Sequence, residues 1–298
     1  MKKLLLLLLT TISTLASAAH FDVIIPFTPG GGADISFRHF QKYASMHGTE
    51  LIPQYKGGAN GLIGMNAAAT GDRETTVVFG TLATVAAHRA ANPNYQFTYI
   101  SMTHAPIMAF VAGPNNKLQT YEDLENELKV SSTRLSFGHG SPNQQLLLSQ
   151  LFTNTRRIDQ PEPLLIGYKG AAPAMMDVIS GHVDVAVVPM SIAVQSISSG
   201  NLKLLAIISQ HDTSFKVPRL NKKYKSWRPG EGFLVVLPQG ASLGVIQYWN
   251  RLLREYLDDE QTKKYAADAY LESVEFGPNT IIDGVVPLAA QLRKLSIN

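Results

Sequence analysis

Short apolar runs, bounded by glycine and followed by amphipathic stretches, recur along this chain, and that alternation limits its fold more than any other feature. The strand-like runs are "FDVIIPF" (21–27), "TTVVFG" (75–80), "IMAFVAG" (107–113), "RLSFG" (134–138), "PLLIGY" (163–168), "VDVAVVP" (183–189), "LKLLAIIS" (202–209) and "GFLVVLP" (232–238). Between them lie helical patterns. "TYEDLENEL" places Thr120 as an N-cap with Glu122 and Asp123 in the first turn, which suits the helix dipole. "AAPAMMDVISGH" carries Pro173 early and Gly181 at its end. "SLGVIQYWNRLLREYL" spaces Val245, Ile246, Trp249, Leu252, Leu253 and Leu257 with a helical period. Apolar strands alternating with helices predict an α/β chain whose parallel or mixed sheets are covered by helices.

Glycine-rich turns follow or abut these strands: "PFTPGGGAD" (26–34), "YKGGANGLIG" (55–64), "FGTLAT" (79–84), "FGHGSPNQQ" (137–145) and "GYKGAAPA" (167–174). Open α/β sheets bind ligands at the carboxyl ends of their strands, where such turns gather. Glycine lets a partner approach the main chain closely, and a helix N-terminus offers unpaired N–H groups with partial positive charge. The turns share small residues, hydroxyls and amides and almost no charge, so they suit capture of an anion by backbone donors rather than by a salt bridge. In the first turn Gly31 is expected at positive φ and beside the anion. Asp34 is expected to cap the helix and organise the loop, because a carboxylate aimed at an anion would repel it.

The amino end, "MKKLLLLLLTTISTLASAA", has the order of a cleavable secretory signal: two lysines, an apolar run, then small residues. Cleavage is expected after Ala18 or Ala19, and no later segment is apolar enough to span a membrane. With Lys2 and Lys3 gone, the formal net charge falls from +3 to +1, which leaves no electrostatic footprint for nucleic acid or for a membrane surface. The short basic run "KKYKSWR" at 222–228 reads as a solvated loop. No cysteine is present, which excludes a lipoprotein anchor and a disulfide framework and suits a bacterial periplasm. The length allows one large domain or two modest ones.

Enzyme chemistry finds little footing. The eight histidines (His20, His39, His47, His88, His104, His139, His182 and His211) show no HxxxH or HxH spacing, so no metal site is expected. There is no GxSxG elbow, Walker loop or GxGxxG, and no cofactor is expected. An enzyme reusing the same fold, or a sensory partner of a membrane receptor, are the alternatives to a binding protein.

In order and wording, "PFTPGGGAD", "KGGANGLIG", "GYKGAAPAMMDVISGHVDVAVVP" and "ISSGNLKLLAIIS" resemble the Bug family, the periplasmic receptors of tripartite tricarboxylate transporters. The resemblance runs from about Phe21 to the C-terminus. It implies a two-lobed, type II Venus-flytrap binding protein of the periplasmic-binding-protein fold, with lobe one at 20–105 plus 228–298 and lobe two at 106–227. It also implies a monomer that holds a small carboxylate (a di- or tricarboxylate, an acidic amino acid or an aromatic acid) and passes it to membrane permease subunits. Carried onto this chain, the binding residues are Phe27, Thr28, Gly30, Gly31, Gly32, Ala33 and Asp34 from the first loop. Gly80 and Thr81 follow the "TTVVFG" strand. The second-lobe loop matches at Ser136, Gly138, Gly140, Ser141 and Asn143, with His139 among them. Tyr168, Lys169 and Gly170 match its "Y-K-G", where Lys169 is either a ligand contact or a surface ion pair.

The chain departs from the family pattern at several places. Gln144-Gln145 stands where a histidine usually follows, Asn60 replaces a glycine, and the segment "ANPNYQFTYIS" looks shortened. Val187-Val188-Pro189 replaces a polar group, which predicts a smaller or more apolar far end to the cleft.

Overall fold

The computed structural model describes residues 19–130, 134–157, 160–223, 232–274 and 278–296. The expected signal segment lies outside the described residues except for Ala19, and so does most of the 222–228 basic run, including the 227/228 lobe boundary. The strands are β1 (Ala19–Ile25), β2 (Thr49–Tyr55), β3 (Thr76–Thr81), β4 (Thr98–Met102), β5 (His104–Pro106), β6 (Met108–Ala112), β7 (Ser136–His139), β8 (Leu164–Gly167), β9 (Val185–Pro189), β10 (Lys203–Ile208), β11 (Phe233–Leu237) and β12 (Leu271–Ser273). The helices are α1 (Gly32–Met46), α2 (Leu62–Ala69), α3 (Leu82–Ala91), α4 (Tyr121–Val130), α5 (Pro142–Thr155), α6 (Ala171–Ile179), α7 (Met190–Ser198), α8 (Leu220–Lys223), α9 (Leu243–Asp258), α10 (Glu260–Asp268) and α11 (Pro278–Ser296).

Two five-stranded mixed sheets result. The first has the order β2-β1-β3-β11-β4 and the second β10-β6-β9-β7-β8. In the first, β1, β2 and β3 run parallel while β11 is antiparallel to both β3 and β4. In the second, β7 is parallel to β8 and β9, and β6 is antiparallel to β9 and β10. The apolar runs are continuous because both faces of the inner strands are covered. Along β1, Val23 and Ile25 face one core and Ile24 faces the other; along β11, Phe233, Val235 and Leu237 oppose Leu234 and Val236. The second sheet divides the same way, with Phe110 and Val187 on one side and Ala109, Val111 and Val188 on the other.

The helices take the caps that their sequences offer. Ser242 accepts the Val245 N–H ahead of α9, whose Trp249, Leu252, Leu253 and Tyr256 are buried. Asp123 accepts N–H bonds from Gln119 and Thr120, while Thr120 Oγ1 accepts from Asp123 N. Two edge strands, β2 and β4, are absent from the run of apolar segments. β2 contains Pro53 in an edge position, where a missing donor is tolerated.

The sheets are joined by a short antiparallel ladder of β5 and β12. Thr103 N donates to Phe233 O at 2.7 Å and Ile107 N to Tyr270 O at 3.1 Å, so the outgoing and returning segments are bonded side by side. Glu272 of β12 is buried. Its carboxylate accepts from Ser209 Oγ at 2.6 Å, Gln210 N at 2.8 Å and His211 N at 3.0 Å, fixing the loop after β10 to the joining ladder. Among the described residues no helix is long and apolar enough to cross a membrane.

Candidate functional site

The turn between β1 and α1 is built around a buried acid. Asp34, 2% exposed, accepts the Gly30 N–H at 2.7 Å through one carboxylate oxygen. Its other oxygen takes the Tyr55 hydroxyl at 2.6 Å and the Arg38 Nε at 3.0 Å. Burial and the Asp34 bond push the Tyr55 phenol up to about 12, so it stays a donor. Positive φ falls on Gly30 (80°) rather than on Gly31, which is extended at φ −80°, ψ 171°. The expectation for Gly31 is therefore corrected: the residue that needs left-handed geometry is its neighbour, and Gly31 lines the cleft in extended geometry. The N–H groups of Gly32 and Ala33 belong to the first turn of α1, where a helix has no acceptor of its own.

A matching turn stands in the second sheet. β7 ends at His139, Gly140 follows, and Ser141 caps α5 by accepting the Gln144 N–H at 3.3 Å. The Gly140 N–H donates to Gln144 Oε1 at 2.6 Å, four residues on, as Gly30 donates to Asp34. An acid does this in the first turn and a neutral amide in the second, which leaves the Gln144 NH₂ as a donor. Gly140 has no space for a side chain, because a β-carbon there would overlap the main chain of Gly170 and Ala171 at the start of α6. Thr81 supplies a further hydroxyl. It caps α3 in a reciprocal pair with Thr84.

These turns meet across one cleft. The first sheet contributes Phe27, Gly31, Gly32, Ala33, Thr81 and Phe233. The second contributes Gly140, Ser141, Gln144, Ala171 and Pro189, and Pro106 of β5 lies between. The cleft leaves about 30 Å³ for the centres of water-sized groups. No lining side chain carries a formal charge. Donors come instead from the starts of α1 and α6, from the Thr81 and Ser141 hydroxyls and from the Gln144 amide, an arrangement suited to an anion.

The two sides also touch directly. Thr28 N donates to Lys169 O at 3.2 Å and Asn60 Nδ2 to Gln145 Oε1 at 3.2 Å. A β-carbon on Gly57 would stand 2.8 Å from Lys169 O, and one on Gly170 2.7 Å from Thr28 Oγ1.

Of the residues singled out in the sequence, the structure brings Phe27, Gly31, Gly32, Ala33, Thr81, Gly140 and Ser141 to the cleft wall. Gly30, exposed, and Asp34, buried, are not among the lining residues and hold the turn through their hydrogen bond. Thr28, Lys169 and Gly170 form the contact between the two sides, Lys169 through its carbonyl while its side chain is exposed. Gly80 packs against Thr84 below Thr81, and Gly138 packs against Ala174 and the Tyr168 ring. Ser136 binds Asp184 at the opposite end of β7. The Tyr168 hydroxyl donates to Asp177 at 2.5 Å, away from the lining, and burial with that bond raises it to about 12. The His139 ring lies against Gly167, and burial lowers its pKa with a smaller opposing effect from the Ser141 main chain. Asn143 is buried, with its Nδ2 lacking a partner.

Pro106, Phe233 and Ala171 were not picked out in the sequence. Pro106 and Phe233 arrive by sheet topology, while Ala171 adjoins the "Y-K-G" match and could have been read from it as the first residue of a helix. Gln144 and Pro189 had a visible signal, since both are departures from the family wording. Among the described residues no group of three or more His, Asp or Glu side chains is placed to hold a metal.

The family model for the tripartite tricarboxylate transporter family receptor matches residues 37–278. The protein BugT of Bordetella pertussis is 28% identical over 258 residues, covering 82% of this chain and 78% of that one. The solved periplasmic binding protein BugD superposes with a TM-score of 0.81 at 21% identity, covering 93% of this chain and 96% of that one. MatC from Rhodopseudomonas palustris, solved with bound malate, gives 0.79 at 18% identity over 93% and 98%. The chain belongs to the tripartite tricarboxylate transporter receptor family, the Bug proteins, and has their two-lobed periplasmic-binding-protein fold.

Proposed function

We propose that this chain is an exported receptor that captures a small carboxylate between its lobes and hands it to a membrane permease. The lobes would comprise 20–105 plus 228–298 and 106–227, with residues 1–18 or 1–19 removed on export. The observation that carries the reading is the cleft itself: helix starts, hydroxyls and an amide converge from both sides on one small space lined by no charged side chain. That array satisfies a carboxylate without a basic residue, and MatC, of the same fold, holds malate. Gly31, Gly32, Ala33, Thr81, Gly140, Ser141, Gln144 and Ala171 would make the contacts. Closure would bury the ligand and create the surface that the permease reads. The protein would act as a monomer, by binding and not by turnover.

Thermal unfolding of the mature protein against a panel of carboxylates tests this, because a ligand that binds only the native state raises the midpoint by mass action. The expected result is stabilisation by at least one carboxylate that is recovered chemically unchanged. A carboxylate consumed during incubation would point to an enzyme instead.

A further inference from the structure

The cleft has two unlike parts, and their arrangement bears on which carboxylates it accepts. All the donors, from α1, Thr81, Ser141, Gln144 and α6, border the same space of about 30 Å³. They face that one space from both sides, so these donors converge on one anionic group and are not spread over two. The remaining lining is Phe27, Phe233, Pro106 and Pro189, which offers no side-chain hydrogen-bond donor. A second carboxylate on the same ligand would be pressed against these rings without a counter-charge, and burying an unpaired ion is costly.

The two sides also approach each other closely at three points. Gly32 and the Pro189 ring meet across the cleft, where a β-carbon on Gly32 would lie 2.9 Å from Pro189 Cγ. Gly57 faces Lys169 O, and Gly170 faces Thr28, with equally little room. The first of these is a proline ring, the second a main-chain carbonyl and the third the Thr28 hydroxyl. Pro189 stands ahead of α7, and the first N–H of that helix, on Met190, is already taken by Ile107 O at 2.7 Å. The proline ring thus forms the wall of the cleft that stands opposite Gly32.

We infer that the cleft selects short monocarboxylates over dicarboxylates, and that Pro189 is the residue that sets this limit. The inference rests on the carboxylate-receptor reading above and narrows its ligand class. A carboxylate with a short uncharged tail fits the donors and the rings together, whereas a dicarboxylate fits only the first.

Calorimetry on the mature protein with propionate, butyrate, succinate, adipate and uncharged propionamide tests it, on wild type and on Pro189→Ala. For wild type, propionate or butyrate should bind at least about tenfold more tightly than succinate or adipate. Propionamide should bind more weakly than propionate. Pro189→Ala, with unchanged circular dichroism, should narrow the gap between succinate and propionate by about threefold or more. Dicarboxylates that bind wild type as well as the monocarboxylates would overturn the selectivity and leave the receptor reading standing. A gap unchanged in Pro189→Ala would remove Pro189 from the role. No binding by any of the acids would overturn the inference and leave the receptor reading to the wider carboxylate panel, whereas binding of propionamide as strong as that of propionate would sink the carboxylate reading itself.

Discussion

Gly32 and Pro189 meet across the cleft with no room for a methyl group between them. The two residues come from different sheets, so a side chain at position 32 resists the approach of one lobe to the other and does not strain either lobe alone. Gly32→Ala should therefore weaken ligand binding while leaving the unliganded melting temperature nearly unchanged. Overpacking of this kind costs about 1–3 kcal/mol, which corresponds to roughly a five- to hundredfold loss of affinity. Calorimetry with any ligand found by thermal shift checks it, and unchanged affinity would mean that the bound form keeps these residues apart.

The bonds around Asp34 predict an order of stability losses. Asp34→Ala leaves the Gly30 N–H and the Tyr55 hydroxyl, both only partly buried, without their acceptor, at about 1–3 kcal/mol in total. Tyr55→Phe removes a donor and keeps the acid in place, so it should cost less. Arg38→Ala should cost least, about 1 kcal/mol or under, since the Arg38 side chain is 59% exposed. Urea unfolding of the three variants gives the ranking. An Arg38 loss equal to the Asp34 loss would show that the ion pair, not the loop, is the stabilising element.

Capture by main-chain and hydroxyl donors predicts that no basic side chain is essential. Lys169→Met should change affinity little, because Lys169 contributes its carbonyl to the Thr28 N–H and its side chain is exposed. Ser141→Ala removes a hydroxyl from the cleft wall and should cost on the order of 1.5–3 kcal/mol of binding if it donates to the anion. It also loses a helix cap, worth about 1 kcal/mol of stability. Calorimetry for binding beside urea unfolding of the unliganded protein separates the two effects, and repeating the binding at a second salt concentration reads any ion pair. A Lys169 loss larger than the Ser141 loss would favour a salt-bridge mechanism.

His104 gives a pH dependence of stability. Burial, with a smaller contribution from His39, lowers its pKa from 6.5 to about 4, so the folded protein keeps it neutral. Above pH 6.5 neither state carries the proton and this group has no effect. As pH falls from about 6.5 toward 4 the unfolded chain takes up a proton that the native state refuses, and stability drops by roughly 3 kcal/mol at most. Burial lowers His88 and His139 in the same direction. Urea midpoints at pH 7 and pH 4.5 should converge more in His104→Leu than in wild type. An equal loss in both would place the acid sensitivity elsewhere.

The parts of this molecule that were legible in its sequence are those governed by local chemistry. The inner strands read as apolar runs because both faces of β1, β3, β9 and β11 are buried. β2 escaped notice because an edge strand tolerates Pro53 and exposed residues. Three adjacent glycines announced a tight turn but could not say which of them takes positive φ, since that is decided by the Asp34 carboxylate reaching back to Gly30. Gln144 does for Gly140 what Asp34 does for Gly30, yet an amide and an acid do not look alike in a sequence. Phe233 and Pro106 reach the cleft only through sheet order, a long-range property that local periodicity does not encode.

The order of strands in the two sheets has a consequence for the protein's synthesis. Every strand of the second sheet has been made once Ile208 has appeared, but the first sheet lacks β11, which lies between β3 and β4, until Leu237. A chain that emerges amino end first can therefore finish the sheet it started second. Throughout that interval β3 has no partner on one side, and Phe79 lacks the Phe233 ring that it later stacks on. An unpaired apolar edge of this kind invites association with other chains. The interval of greatest risk for this protein falls while residues 106–232 are being added, and whatever shields β1 to β3 from neighbours must act then.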